Sequence, residues 1–442
     1  MVIFKAYDVR GIYPEELNEE AAKKVGRAFS DFLGGKTIVI GRDMRLSSDR
    51  LFLSLAEGMT KQGINVIDIG IVSTPMSYFA CAFLKADGSI MITASHNPKD
   101  YNGFKFTRKN AVPISEATGL KDIEKIFLSG KFKSSQRKGR ITKKEIMQDY
   151  VNHVLSFIDV KKIRTLNIVI DAANGMGGKE TPFVYSKLPC KTTELFFNLD
   201  GTFPNHEADP LKEENVGELK KIVLKKKADL GIAFDGDADR VFFVSEKGEK
   251  ISSDLIACLI AEDFLEKNPN EKVLYDLRSS LIIKEKVEEL GGKAIMSRVG
   301  HAFIKELLRK ENAVFGGELS GHYYFRDNFY TDSGIIASLK IIEILSKKNK
   351  PISELIKPLK KYFQSGEINS KISDKESKMK LLMEKYKDGK LTTIDGIRID
   401  FDDWWFNVRP SNTEPLLRFN LEAKTKSLME KKRDEVLGLI RR

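Results

Sequence analysis

Three carboxylates alternate in Asp235-Gly-Asp-Ala-Asp-Arg240, so that Asp235, Asp237 and Asp239 share one short loop. At i, i+2 and i+4, with a glycine between, they can converge on one hard cation. An all-oxygen set that leaves positions open for water or phosphate suits Mg²⁺. The run over 229–234 reads as a strand that delivers this loop to its C-terminal end, where α/β sheets hold ligands. The same residues also fit a polar turn whose Asp side chains cap backbone amides. A third reading is a calcium loop with Glu246 at its twelfth position. That reading meets Arg240 where the loop needs glycine, and a strand-like 241–244 before any helix.

A second set is Thr93-Ala-Ser-His-Asn-Pro98, which offers Ser95 beside His96. Pro98 fixes the turn beyond, Gly103 permits close approach, and Lys105 lies ten residues after Ser95. Read alone, Ser95 is as readily a hydrogen-bonding turn residue as a nucleophile. The third set, Arg409-Pro-Ser-Asn-Thr-Glu414 with Arg418 beyond, combines two guanidinium forks with small hydroxyls. It suits phosphate oxygens and equally describes a solvated polar loop. The fourth, Gly316-Gly-Glu-Leu-Ser-Gly-His322, places Glu318 and Ser320 on one side of an extended chain. Such a pair can hold sugar hydroxyls, and a tight hairpin would also account for the glycines.

Short β-branched runs alternate with amphipathic stretches and supply the scaffold for these loops. Strands over 36–40, 65–69 and 89–93 alternate with helices over 49–62 and 75–84, a βαβ rhythm that implies a buried, mainly parallel sheet. The rhythm restarts after a helix near 144–157, with strands at 167–171, 192–196, 230–234 and 241–245 around a helix at 216–227. A third unit runs through helices at 254–267, 281–290 and 302–310 and strands at 272–276, 293–297 and 314–315, to a long helix at 333–347. Beyond a joint at 360–367 the order changes to a helix over 375–387, strands at 391–395, 397–401, 405–408 and 416–423, and a basic terminal helix. Further joints are expected at 134–144 and 246–253.

The 442 residues, 41% of them hydrophobic, suffice for several cores, and no apolar run nears the roughly 20 residues of a membrane span. Cys81, Cys190 and Cys258 lie far apart with no CxxC, and the N-terminus lacks a signal-peptide layout, so a cytoplasmic protein is expected. Lys+Arg 74 against Asp+Glu 63 leaves a formal +11. That charge fits a nucleic-acid surface, attraction for small anions, or lysine-rich solvated helix faces such as 219–227, 347–350 and 357–361. The Trp404-Trp405-Phe406 cluster lies amid Asp402 and Asp403, which argues against an aromatic-lined nucleic-acid groove.

The four loops, in this order, resemble those of the α-D-phosphohexomutases, the phosphoglucomutases and phosphomannomutases, over essentially the whole chain. Tyr7-Asp-Val-Arg-Gly11, Gly41-Arg-Asp43 and Asp200-Gly-Thr-Phe-Pro-Asn-His206 match lesser patterns of that family. The resemblance implies three similar α/β domains with mixed, mainly parallel sheets plus a smaller C-terminal α+β domain around a central cleft. On this reading the domains are 1–145 with the phosphoserine loop, 146–248 with the metal loop, 249–362 with the sugar loop and 363–442 with the phosphate loop. It implies that a hexose 1-phosphate and its 6-phosphate, of mannose or glucose or both, interconvert through phosphorylated Ser95 and a hexose 1,6-bisphosphate, which also serves as activator. Mg²⁺ would be held by Asp235, Asp237, Asp239 and the phosphate of Ser95.

By the same match Arg10, Lys105 and His322 handle protons and stabilise transferring charge, with His96 bracing the serine loop. Arg409, Ser411, Asn412, Thr413 and Arg418 would hold the non-reacting phosphate. Glu318 and Ser320 would hold hydroxyls, and Arg240, Arg298 and His301 would follow the ring. The expected partner is a small phosphosugar, with no nucleic acid or membrane, and the chain a monomer or small homo-oligomer. A phosphoglucosamine mutase is the alternative within the class. Leu319 stands between Glu318 and Ser320 where those enzymes often carry Gln and the mannose/glucose branch more often Met, and Tyr101 favours the latter branch.

Overall fold

Apolar five-residue runs form the centre of the first two α/β sheets. Gly88–Ile92, Leu230–Phe234 and Val241–Ser245 are buried at every position, as strands covered on both faces must be. A computed structural model describes residues 3–133, 135–410 and 416–442.

The first sheet orders its strands Val9–Ile12, Tyr101–Arg108, Gly88–Ile92, Thr37–Arg42, Asn65–Ile71, Ile141–Lys143, with Val112–Pro113 added beside Tyr101–Arg108. The second runs Lys250–Ile251, Val241–Ser245, Leu230–Phe234, Asn167–Asp171, Lys191–Leu195, and the third Lys293–Ser297, Lys272–Asp276, Phe315–Gly317, Tyr323–Phe325, Thr331–Asp332. Each is mixed, with a parallel βαβ part and an antiparallel part that carries strands following the site loops. The fourth sheet, Phe363–Gln364, Leu416–Ala423, Trp404–Pro410, Ile397–Asp400, Lys390–Thr392, with Ile368–Lys371 beside Leu416–Ala423, is antiparallel throughout. The chain is therefore three α/β domains and a smaller α+β domain.

Several helices begin where a side chain caps them. Asn18 accepts from the Ala21 amide at Glu19–Leu33, Ser73 from Met76 at Thr74–Phe83, and Ser333 from Ile336 at Gly334–Lys348. Glu19–Leu33, Leu120–Ser129 and Gly177–Tyr185 are helices that the βαβ reading leaves out; Gly177–Tyr185 even contains Pro182.

One apolar core runs without a break through the second and third domains and onto a face of the first, through Met76, Phe79, Tyr150, Phe234, Phe315 and Ile341. The fourth domain packs its own core, including Leu382, Trp404, Phe406 and Val436. Its border with the third is polar. Arg398 lies 3.7 Å over Trp405 and donates to the Leu277 carbonyl at 2.5 Å. Gln364 donates to Asp254 at 3.0 Å and to Glu422 at 3.1 Å, and Glu422 accepts from the Leu281 amide at 2.9 Å. Trp404, Trp405 and Phe406 are buried in this unit, so they form no exposed stacking platform. Among the described residues no helix is long and apolar enough to cross a membrane.

Candidate active site

Ser95 sits just past the buried Gly88–Ile92 strand with a left-handed backbone, φ 52°, a conformation that costs a non-glycine residue energy and needs outside support. Arg45 gives that support. Its buried guanidinium donates to the carbonyls of Ser95 (2.9 Å), Asn97 (2.6 Å), Pro98 (2.7 Å) and Tyr101 (2.9 Å), while Asp43 neutralises it at 3.3 Å. The Ser95 amide donates to Thr93 Oγ1 at 2.8 Å. The hydroxyl so aimed donates to Asp235 Oδ2 at 2.9 Å and lies 3.2 Å from His96 Nδ1. Burial, then Arg240 and Arg10, pushes His96 well below the usual histidine range, so its ring is neutral. Gly236 lets the two loops meet, since a Cβ there would lie 2.5 Å from the Ser95 carbonyl oxygen.

Asp235, Asp237 and Asp239 are wholly buried and can each bring one oxygen within 4.8 Å of the others. Burial first, then Asp237 and Asp239, pushes the Asp235 carboxyl well up, a cost that a cation among them relieves. Lys105 Nζ donates to Asp237 Oδ2 at 2.7 Å and Asp239 Oδ2 at 2.6 Å. The other oxygens, Asp237 Oδ1 and Asp239 Oδ1, are buried without a hydrogen-bond partner. Hard donors, converging geometry and the unspent Asp237 Oδ1, with Asp239 Oδ1 facing only His322 Nε2 at 3.4 Å, fit a Mg²⁺-type cation. The chain after the loop is the antiparallel Val241–Ser245 strand, so the calcium-loop reading lacks its exit helix. Asp239, His322 and Asp332 also approach within 4.8 Å. There Lys305 already neutralises Asp332 at 2.8 Å, and His322 contributes a charge of its own.

The sugar-side loop turns between Phe315–Gly317 and Tyr323–Phe325. Glu318 Oε2 accepts from Tyr324 Oη at 2.9 Å and faces His322 Nδ1 at 3.2 Å; Oε1 accepts from Arg278 at 3.3 Å and the Gly300 amide at 3.3 Å. Burial opposes its charge, but His322, Arg278 and Tyr324 hold the Glu318 carboxyl far below its ordinary value. Burial likewise opposes charge on His322, and Asp239 at 3.4 Å with Glu318 outweighs it, raising His322 to about 9. Ser320 Oγ lies 3.0 Å from His322 Nδ1. His301 is edge-on to Tyr7 at 5.1 Å; burial, then Lys305, Lys105 and His322, keeps it neutral.

Arg409 and Arg418 are opposite one another on paired strands of the fourth domain. Glu367 lies between them, accepting from Arg409 at 2.9 Å and 3.8 Å from Arg418, and the Nε of each arginine is buried with no hydrogen-bond partner. Arg10 pairs with Asp8 and donates to Asn97 Oδ1 at 2.6 Å. Arg240 faces Asp235 at 3.8 Å and Asp209 at 4.0 Å.

A cavity of about 820 Å³ joins these groups: Ser95, His96, Arg10, Lys105, Arg240, His301, Glu318, Ser320, His322, Arg409 and Arg418 all line it. Arg298 does not; its guanidinium stacks 3.7 Å over Phe303 while Val299 and Gly300 form the wall. Ser411, Asn412 and Thr413 lie outside the described residues. Arg45, Arg278, Glu367 and Lys250 are wall or support residues that the sequence motifs do not include, while Tyr7, of the Tyr7-Asp-Val-Arg-Gly11 pattern, also lines the wall. Arg45, two residues past the Gly41-Arg-Asp43 pattern, was the one with a nearby signal.

Sequence comparisons match the chain throughout. The phosphoglucomutase/phosphomannomutase alpha/beta/alpha domains I, II and III match residues 1–134, 148–248 and 252–362, and the C-terminal domain matches 367–439. A phosphomannomutase of Escherichia coli (strain K12) is 42% identical, covering 100% of this chain and 99% of that protein. The phosphohexose mutases of Xanthomonas campestris pv. campestris (strain B100) are 40% identical over 99% of each. A phosphoglucomutase/phosphomannomutase family protein from Burkholderia thailandensis superposes with a TM-score of 0.92 at 33% identity, over 99% of this chain and 96% of that one. The Aspergillus fumigatus N-acetylphosphoglucosamine mutase, solved with GlcNAc-6P and magnesium, shares the fold at 14% identity and TM-score 0.62, over 96% of this chain and 97% of that one.

Proposed function

Since the chain belongs to the phosphoglucomutase/phosphomannomutase family and is a phosphohexomutase, an isomerase, we propose that Ser95 carries its transferable phosphoryl group and that Asp235, Asp237 and Asp239 hold Mg²⁺ beside it. The observation that carries this reading is the 2.9 Å contact between Ser95 Oγ and Asp235 Oδ2 at the edge of the buried carboxylate triad.

Phosphoryl transfer depends mainly on position and on charge placed where oxygens become negative. Bound Mg²⁺ supplies such charge at the phosphoserine oxygens. Arg45 and Asp43 hold the serine loop, and Lys105 and Arg240 add fixed positive charge around it. In the first half-reaction the Ser95 Oγ–P bond breaks as an O–P bond forms to a sugar hydroxyl, whose proton leaves to the surroundings while Oγ regains one. His322, held charged between Glu318 and Asp239, keeps a proton at the reacting oxygens, and Arg10 neutralises the phosphoryl oxygens. The bisphosphorylated sugar then turns end for end and returns its other phosphate to Ser95. Glu318 and Ser320 hold hydroxyls common to both orientations, with His301 and Arg240 along the ring. Arg298 acts through Phe303 rather than from the wall. Arg409, Arg418 and the loop bearing Ser411, Asn412 and Thr413 hold the resting phosphate.

The substrates proposed are mannose and glucose phosphates, supported by relatives named phosphomannomutase at about 40% identity. A hexose 1,6-bisphosphate is the activator. The enzyme works in the cytoplasm on a small phosphosugar, without nucleic acid, as a monomer or small homo-oligomer. The domain borders proposed are 145/146, 248/249 and 362/363, with opening at the last. The test is a coupled assay of mannose-, glucose- and glucosamine-1-phosphate with bisphosphate activator and Mg²⁺. Turnover of the first two with little of the third is expected. Dominant glucosamine-1-phosphate turnover would transfer the assignment to that branch, and no turnover by phosphorylated protein would end it.

A further inference from the structure

The metal loop belongs to the second domain, yet its supports come from the first and third. The helix Thr74–Phe83 of the first domain starts against it: the Thr74 amide donates to the Asp237 carbonyl at 3.1 Å, and Thr74 Oγ1 donates to Asp237 Oδ2 at 2.6 Å. From the opposite side the helix Gly334–Lys348 brings the Gly334 amide to the Ala238 carbonyl at 3.3 Å. A Cβ at Gly334 would lie 2.9 Å from that carbonyl oxygen, so side-chain-free backbone is required for the contact. Thr74 is wholly buried, and the segment before it is fixed as well: Glu180 accepts from the Ser73 amide at 2.8 Å, and Lys179 Nζ donates to the Ile71 carbonyl at 2.6 Å.

We infer that Thr74 is a positioning residue for the metal centre, fixing the rotamer of Asp237 from a neighbouring domain. The inference rests on the reading that Asp235, Asp237 and Asp239 hold Mg²⁺. A carboxylate has two equivalent oxygens and a broad terminal torsion. Here Thr74 and Lys105 both donate to Oδ2, which leaves Oδ1, buried and otherwise without a partner, as the oxygen free for a cation. Lys105 also donates to Asp239, so Thr74 is the side-chain donor given to Asp237 alone. Thr74 touches no substrate atom: it is no wall residue of the cleft. Partners of this kind act through the ligand they orient.

The test is titration with Mn²⁺, following free Mn²⁺ by its EPR signal, on full-length protein at matched phosphoserine content. Variants are Thr74→Val, Thr74→Ser and Asp237→Asn, with melting temperatures as the folding control. Thr74→Val, which keeps the shape and removes the donor, should weaken Mn²⁺ binding by about 10–100-fold, the range for partners of metal ligands. Thr74→Ser should stay within about threefold, because the hydroxyl is restored. Unchanged Mn²⁺ affinity in Thr74→Val together with a large loss in Asp237→Asn would overturn the positioning role and leave the metal site intact. Unchanged affinity in Asp237→Asn would instead overturn the metal assignment itself. Should the valine fail to fold, Thr74→Ala gives the same reading without the extra methyl.

Discussion

At the serine end of the cleft, Ser95, Lys105 and the three aspartates are at most 5% exposed, and their partners come from as far as 163 residues away. At the arginine end, Arg418 and Glu367 keep 33% and 29% of their side chains in water, and their contacts stay within one antiparallel sheet and its flanking strand. The first is a desolvated constellation held by three domains over one continuous core; the second pairs a buried fork, Arg409, with a partly exposed one, Arg418, on a domain with its own core. Charge stabilisation in transfer is strongest where water is excluded and donors are already placed. The proposed phosphate site at the arginine end would instead gain from exchangeable contacts, with the resident carboxylate of Glu367 to displace.

Substitutions can break this contrast at either end. Ser95→Ala should leave no phosphoenzyme by intact mass and lower kcat by at least about 10⁴-fold, as loss of an essential nucleophile does. Full activity in that variant would place the nucleophile elsewhere. Removal of Mg²⁺ by chelation, or Asp235→Asn, should cost at least about 100-fold in kcat with a smaller change in KM. Arg409→Ala should show the reverse split. KM for the sugar phosphate should rise about 10–100-fold, since a charge-assisted hydrogen bond is worth roughly 1.5–3 kcal/mol, and kcat should change little. A kcat loss equal to that of Asp235→Asn would erase the distinction between the ends. Glu367→Gln should lower KM by a few-fold at most, about what release from a half-exposed ion pair allows.

The smallest effect separates the junctions behind the two ends. Burial pushes Glu180, at the border of the first and second domains, up to about 7. Burial, opposed by Gln364 and assisted by Asp276 and Glu422, does the same to Asp254 at the border of the third and fourth. A carboxyl whose folded value is raised favours the folded state at low pH, and that contribution is lost as pH climbs from about 4 through about 7. Glu180→Gln and Asp254→Asn should therefore melt closer to their low-pH temperatures at pH 8 than the parent does, by a few degrees, read by thermal scans across pH 5–8. A parallel fall in parent and variants would show that these carboxyls keep ordinary values.

The sequence was informative where chemistry sits on a loop fed by a strongly apolar strand, because strand, loop composition and spacing are all local. Asp235–Arg240 after Leu230–Phe234 and Ser95 after Gly88–Ile92 are of this kind. Thr74, Arg278 and Glu367 carry no such sign, and Arg45 only its nearness to Gly41-Arg-Asp43: each acts on groups brought near only by the fold, Arg45 on carbonyls some fifty residues on and Thr74 on Asp237. Glu19–Leu33 went unread although Asn18 and Gly34 mark both its ends, because attention to β-branched runs starts the rhythm at the next strand. Gly177–Tyr185 hid behind Pro182, and Thr331–Asp332 is too short for any periodicity. Arg298 lies near His301 in sequence, but Phe303, five residues after it, takes its guanidinium.

The six-residue loop gripped by helix starts at Thr74 and Gly334 has a consequence for how the chain comes together. Part of its support lies outside the second domain, in the contacts that the first and third domains make at Asp237 and Ala238. With the cation held there as proposed, its affinity and the docking of three domains would be two faces of one equilibrium. A ligand that binds only the closed arrangement stabilises it by RT ln(1 + [L]/Kd). In a newly made chain, the proposed ion site would gain its outer supports only when the three domains have met.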